Sequence, residues 1–169
     1  MTNKIAEDPR IDPRIKAIFG MVDLSGDTRD VANREELLVR ANTDEAIAAS
    51  EGLTAFLAMC DTQEVAPSAG LVISEHKVTS QPDGNTINIR VIRPDTSEKL
   101  PCVYYIHGGG MQTMSCDDGN YRAWGRMIAA QGVAVAMVDF RNAVTASSVP
   151  EVEPFPAGLN DCVSGLKWA

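Results

Sequence analysis

An apolar run, Cys102 to Ile106, breaks directly into His107-Gly108-Gly109-Gly110. No other junction constrains the fold as much. Each glycine gives up more backbone freedom on folding than any other residue and adds no side chain to a core. Such a run is explained when bare backbone must approach a ligand, with its N–H groups facing developing negative charge. The preceding segment, opened by Pro101, is apolar throughout, as a strand covered on both faces is. Loops at the C-terminal ends of parallel strands are where α/β sheets place their ligands. The alternative, a glycine-rich turn with no ligand, does not account for that placement.

The flanking sequence supplies the rest of such a sheet. Leu71 to Ser80 and Ile87 to Arg93 are rich in β-formers and are joined by Gln81-Pro82-Asp83-Gly84-Asn85. Asp-Gly between such runs predicts a hairpin. After the glycine loop, Asp117-Asp118-Gly119-Asn120 reads as a capped helix start. Tyr121, Trp124, Met127 and Ile128 then share one helical face, and Gly132 ends the helix. Val133 to Phe140 is a second continuously apolar strand, 143–154 a loop of small residues and prolines. Pro156 opens a last helix carrying Leu159, Val163 and Leu166. A hairpin followed by strand–helix–strand predicts an α/β fold with a parallel strand pair and helices on the sheet faces.

Residues 1–65 read differently, as helices with little strand signal. Asp12-Pro13 gives a cap and an N1 proline. Ile15, Ile18, Phe19 and Val22 mark an apolar face, and Ser25-Gly26-Asp27 ends that helix. A second helix is predicted near Asp30 to Arg40. A third follows Asn42-Thr43, with Ile47, Leu53, Phe56, Leu57 and Cys60 as its apolar positions. The chain therefore divides into a helical region, 1–65, and an α/β region, 66–169.

Composition removes several functions. Asp+Glu 23 against Lys+Arg 15 leaves a formal net charge of −8, which opposes binding to nucleic acid or an anionic membrane surface. No apolar stretch is long enough to span a bilayer. Met1 to Arg14 is polar and has no signal-peptide core, so a cytoplasmic setting is expected. Cys60, Cys102, Cys116 and Cys162 form no CxxC pair, and His76 and His107 are the only histidines, so a zinc site is not expected. Cys102 and Cys162 read as small core residues. The glycine loop is neither a P-loop, which ends in Gly-Lys-Ser/Thr, nor a GxGxxG dinucleotide fingerprint.

The polar residues near the loop each admit two roles. His107 has the position of a general base, but no serine or cysteine with nucleophile-elbow spacing accompanies it. We read its ring as hydrogen-bonded and shaping the loop. His76 lies in a hairpin strand and reads as a surface or satisfied histidine. Asp139 and Arg141 fall on one side of the strand end and read as a structural ion pair. Asp117-Asp118 reads as a cap rather than a catalytic carboxylate pair.

Taken in order, His107-Gly108-Gly109-Gly110-Met111, the helix ending in Gly132, Val133 to Asp139 with Phe140-Arg141, and Phe155-Pro156-Ala157-Gly158-Leu159-Asn160-Asp161-Cys162 resemble one family. They look like the bacterial hormone-sensitive-lipase-like esterases, the family IV carboxylesterases of the α/β-hydrolase superfamily. The resemblance covers residues 70–169, and the helical N-terminus is similar to that family's cap. It implies the N-terminal half of an α/β-hydrolase sheet with an N-terminal helical cap. It also implies that Gly109 and Gly110 give their N–H groups to an oxyanion, that His107 and Gly108 support the loop, and that Met111 borders the substrate. Asp139 and Arg141 match the family's Asp-Tyr-Arg element, here with Phe140. The family usually continues Leu-Ala-Pro-Glu, where this chain reads Asn142-Ala143-Val144-Thr145.

The implied activity is serine-type hydrolysis of short- to medium-chain acyl esters, with no cofactor. The family's Gly-Asp-Ser-Ala-Gly-Gly is absent, as are the acid and histidine that follow it. The nucleophile is therefore expected elsewhere, in a C-terminal half supplied by a second chain or a missing segment, whose strand would pair with the strand of Tyr104 and Tyr105. The alternative class is a non-catalytic ligand-binding protein on the same fold.

Overall fold

The computed structural model describes residues 4–20 and 30–169. The chain forms two compact units, Met1–Glu36 and Leu37–Ala169. The first contains α1 (Lys4–Glu7) and α2 (Pro13–Phe19). Asp12 caps α2 by accepting the Arg14 N–H at 2.8 Å, with Pro13 in the first turn, as the sequence predicts. Val22 and the predicted stop at Ser25-Gly26-Asp27 lie outside the described residues. Next along the chain are α3 (Arg34–Ala41) and α4 (Asp44–Leu57). Thr43 caps α4, accepting the Ala46 N–H at 3.2 Å. A single tight turn, Ala58–Cys60, follows.

The sheet has four strands: β1 (Leu71–Thr79), β2 (Thr86–Pro94), β3 (Cys102–Ile106) and β4 (Ala134–Asp139). Their order is β1-β2-β4-β3. β1 and β2 form the predicted hairpin, β4 runs antiparallel to β2, and β3 runs parallel to β4. The crossover from β3 to β4 is α5 (Gly119–Ala129), and α6 (Ala157–Trp168) follows β4. This is the predicted α/β arrangement.

Alternation along β4 sends side chains to two cores. Val135 and Met137 pack with Ile92, Cys116 and Ala129; Ala136 and Val138 pack with Ile87, Ile89, Phe140 and Cys162. α5 closes the first core and α6 the second. Both helices approach the sheet through glycine. A Cβ on Gly125 would sit 2.5 Å from Met137 Sδ and 2.9 Å from Ile92 Cδ1. On Gly165 it would collide with the Tyr104 hydroxyl and sit 3.2 Å from Ile89 Cδ1.

That close approach overturns the predicted face of α6 and the place of Trp124 on α5, where Tyr121 and Ile128 do pack against the first core. On α5, Trp124 is exposed, and Ala123, Gly125, Arg126 and Ala129 face inward. On α6, Leu159, Val163 and Leu166 are exposed, and Gly158, Asp161, Cys162 and Gly165 are buried. On α6 the large apolar residues marked the wrong side because small ones let the backbones pack. Asp118 stands at the N-cap of α5 but makes no side-chain cap bond; its Oδ2 accepts the Ser115 N–H at 3.1 Å. β3 is not covered on both faces either. It is an edge strand, Cys102 is exposed rather than a core residue, and Val103 and Ile106 are 37% and 49% exposed. Cys162 is buried as predicted, its thiol pKa pushed up to about 12 mainly by burial.

Asp61, just after the tight turn, ties the α4 end to α5. It pairs with Arg122 and Arg126, each at 2.5 Å, and Arg126 also donates to the Ala66 carbonyl at 2.7 Å. Burial opposes ionisation of Asp61, but hydrogen bonds from both arginines outweigh it and hold its carboxyl below the usual range.

Candidate active site

The chain leaves β3 at Ile106 and turns through the glycines. Gly109 and Gly110 have φ of 99° and 63°, and Met111 continues at 58°. Three consecutive left-handed residues are open to glycine and costly to a long side chain, of order 1–3 kcal/mol at Met111. At Gly109 the need for glycine is also steric: a Cβ would strike the Thr113 carbonyl and lie 3.1 Å from Met114 Cγ. The turn is closed by the Gly109 carbonyl, which accepts from Gln112 N–H at 3.0 Å and Thr113 N–H at 3.2 Å. Among the described residues, no acceptor takes the N–H of Gly109 or of Gly110. Two adjacent free donors on a fixed turn can hold one anionic oxygen.

The loop is anchored to the segment after β4. Ala143 donates to the Met111 carbonyl at 2.9 Å, and Val144 and Thr145 both donate to the Gln112 carbonyl at 3.0 Å. Asn142 Nδ2 donates to the Met114 carbonyl at 2.7 Å. Gly108 packs beneath Tyr121; a Cβ there would meet the tyrosine oxygen at 2.5 Å.

His107 is buried, and its ring is held, as the sequence predicts. It stacks on Phe140 at 4.2 Å with 6° between planes. Nδ1 lies 2.8 Å from the Gly108 carbonyl and Nε2 lies 3.4 Å from Asp139 Oδ1. Asp139 is 0% exposed and accepts the Cys116 N–H at 2.8 Å and the Ser148 N–H at 2.7 Å. Burial alone would raise its pKa. The contacts with His107, Ser148 and Cys116 outweigh burial and bring it down to about 2.

The predicted Asp139–Arg141 pair does not form. Arg141 instead binds Asp161 of α6 through Nε at 2.9 Å and Nη2 at 2.8 Å, with its own N–H adding a third bond at 2.9 Å. Its Nη1 reaches Asp83 of the hairpin turn at 2.6 Å. These bonds, Asp161 foremost, push the guanidinium pKa up against the effect of burial. The pair is structural, as read, but with other partners. Asp117 likewise pairs with Arg90, at 2.7 Å, and burial raises its carboxyl pKa. His76 is exposed and bonds Ser74 Oγ at 2.9 Å.

Two cavities open near the loop. The larger, about 460 Å³, lies between α4 and the loops after β3 and β4, lined by Ile47, Thr54, Met114, Ser115, Thr145 and Ser148 among others. The smaller, about 270 Å³, is lined by Gly110, Met111, Gln112, Arg141, Phe155 and Gly158 among others. Met111 therefore borders a cavity beside the free N–H groups. Among the described residues no three His, Cys, Asp or Glu side chains cluster as a metal site requires. None of the described helices is long and apolar enough to cross a membrane.

Sequence reasoning did not foresee that Asp139 joins the loop after β3, through His107 and Cys116, to the loop after β4, through Ser148. The signal was available. A carboxylate closing the apolar run Val135 to Val138 must be buried, and a buried carboxylate needs donors.

A hairpin leading into a β1-β2-β4-β3 sheet, with a glycine-rich loop after β3, is the architecture of an α/β-hydrolase, here represented by four strands. The particular relatives agree. The structure of esterase Est22 superposes with a TM-score of 0.94 and 65% identity, covering 99% of this chain and 48% of that one. Brefeldin A esterase, a bacterial homologue of human hormone-sensitive lipase, gives 0.76 and 29% identity over 97% of this chain and 45% of that one. Carboxylesterase NlhH of Mycobacterium tuberculosis is 38% identical over 88 residues, 51% of this chain and 25% of that protein. No family model matches. The chain matches the hormone-sensitive-lipase-like esterases over part of their length: about half of the solved esterases, and a quarter or less of the curated relatives.

Proposed function

We propose that the whole protein is a serine-type carboxylic ester hydrolase. In this reading the 169 residues supply the oxyanion loop and a helical cap, residues 1–65, but not the nucleophile. The observation that carries it is the pair of N–H groups at Gly109 and Gly110. Among the described residues they lack acceptors, and they lie at the end of a parallel strand. A serine outside these residues attacks the acyl carbon. The tetrahedral oxyanion then takes both N–H groups and one beside the serine. His107 and Gly108 support the loop, and Met111 lines the substrate pocket. The relatives' esterase names support the reaction class.

The free edge of β3 supports the missing partner. Among the described residues β3 pairs with β4 alone, and its Val103 and Ile106 are exposed. A parallel strand of the C-terminal half would cover that edge, which otherwise invites aggregation. Cavities of about 460 and 270 Å³ suit short to medium acyl chains. Four unpaired cysteines suit a reducing cytoplasm.

The test is a fluorophosphonate serine probe together with p-nitrophenyl ester hydrolysis by the whole protein. Labelling and turnover are expected, with acetate to hexanoate esters preferred over decanoate. A whole protein that neither labels nor hydrolyses refutes the esterase. If it still binds an ester without turnover, the non-catalytic alternative takes its place.

A further inference from the structure

We propose that Arg122 sets the width of the larger cavity, and with it the ester chain length accepted, by holding two of its walls together; this rests on the esterase reading above. One wall is α4, through Ile47, Ser50 and Thr54, and another is the loop after β3, through Met114 and Asp117. Packing does not fix the α4 wall. None of the α4 residues is buried, and Ile47 and Leu53 are 42% and 43% exposed. A helix without a buried face draws little stability from a core, so its position depends on what fastens its ends.

The fastening lies just beyond its C-terminal end. The tight turn Ala58–Cys60 carries the chain to Asp61 and rests on the start of α5, where a Cβ on Gly119 would lie 2.8 Å from Ala58 Cα. Asp61 Oδ2 accepts from Arg122 Nε at 2.9 Å and also from Nη2. The remaining nitrogen, Nη1, donates to the Asp117 carbonyl at 2.7 Å. One guanidinium thus grips the end of α4 on one side and the loop after β3 on the other. Its rigid fork serves both at once, which the point charge of a lysine does not. Arg126, one turn along α5, has another task. It is buried, pairs with the other Asp61 oxygen and donates to the Ala66 carbonyl at 2.7 Å. The Arg122 side chain is 39% exposed. Without it Asp61 keeps Arg126, and the loops after β3 and β4 stay joined through Asn142 and the Met111 and Gln112 carbonyls. The α4 wall is therefore the one released, and the cavity widens. The turn at Gly109 and Gly110 takes no part in the linkage.

The experiment uses the whole protein with Arg122→Met, which keeps a long stem and loses the fork, and Arg122→Lys, which keeps the charge. Hydrolysis of p-nitrophenyl butyrate and decanoate is followed over a range of concentrations, with rates divided by the sites titrated with a fluorophosphonate. In both variants kcat/KM for decanoate relative to butyrate should rise about 10-fold, the lower end of what one misfitted methylene is worth in a pocket. The change should lie in KM, with kcat per titrated site on butyrate within about threefold of wild type. A purely structural role would lower the titrated fraction and leave the ratio, in which the amount of active protein cancels, where it was. An unchanged ratio in Arg122→Met overturns the proposal, and so does a wild-type ratio in Arg122→Lys, which would make charge rather than the fork the cause. Loss of all titratable sites in both variants overturns it too, by making Arg122 part of the clamp assigned to Arg126. Each of these leaves the esterase standing. A wild-type protein that neither labels nor hydrolyses removes the esterase reading and this proposal with it.

Discussion

β3 and β4 look alike as sequence and differ in the fold. Both are short apolar runs that read as strands covered on both faces. β4 lies between β2 and β3, and Val135 to Asp139 are buried. β3 has one neighbour, and Cys102, Val103 and Ile106 are exposed. An apolar run therefore states what covering a strand needs, and the sheet order decides what it receives. The same contrast separates the loops that follow. The loop after β4 is fastened through Arg141 and Asp161. The loop after β3 leaves two N–H groups without an acceptor among the described residues. Stability gathers at β4 and free bonding capacity at β3.

The contrast is open to attack from both sides. On the β4 side, Asp161→Ala leaves the buried Arg141 guanidinium with only the half-exposed Asp83 and should cost about 3 kcal/mol of stability, read by denaturant unfolding of the whole protein. A loss below 1 kcal/mol would mean that β4 is not the fastened end. On the β3 side, Gly109→Ala forces a Cβ into the Thr113 carbonyl. Esterase kcat should fall about 10²- to 10³-fold, with much less change in melting temperature.

Acid provides a third test. Asp139 has a carboxyl pKa lowered from 3.8 to about 2, so its contribution is full above about pH 4 and is lost as pH falls towards 2. That contribution is about 2 kcal/mol, and Asp139→Asn should remove most of this acid sensitivity. An unchanged pH dependence in the variant would show that Asp139 is not the group responsible. The smallest effect sharpens the comparison most. Val138→Ala, at a 0% exposed position, should cost about 2 kcal/mol. Val103→Ala, at a 37% exposed position, should cost under about 1 kcal/mol if β3 stays an edge, and about as much as Val138→Ala if another strand covers it in the whole protein.

Much of this was legible in the residues. Asp83-Gly84 located the hairpin, Thr43 and Asp12-Pro13 located helix starts, and His107-Gly108-Gly109-Gly110 located the loop. These signals are local, because caps and turns depend on neighbours a few positions away. The face of α6 and the place of Trp124 on α5 were misread for the opposite reason. Leu159, Val163, Leu166 and Trp124 are apolar whichever way the helix turns. Gly125 and Gly165 carry no hydrophobic signal, yet they set the approach to the sheet.

The sequence alone determined which stretches become strands, where the hairpin turn and the glycine loop fall, and that no GxSxG nucleophile lies within these 169 residues. The tertiary structure alone decided the partners: Asp139 with His107, Cys116 and Ser148, Arg141 with Asp161 and Asp83, Asp61 with Arg122 and Arg126. Backbone conformation follows from neighbours along the chain. A buried charge must find its counter-charge or its donors across the fold, and their place in the sequence is free.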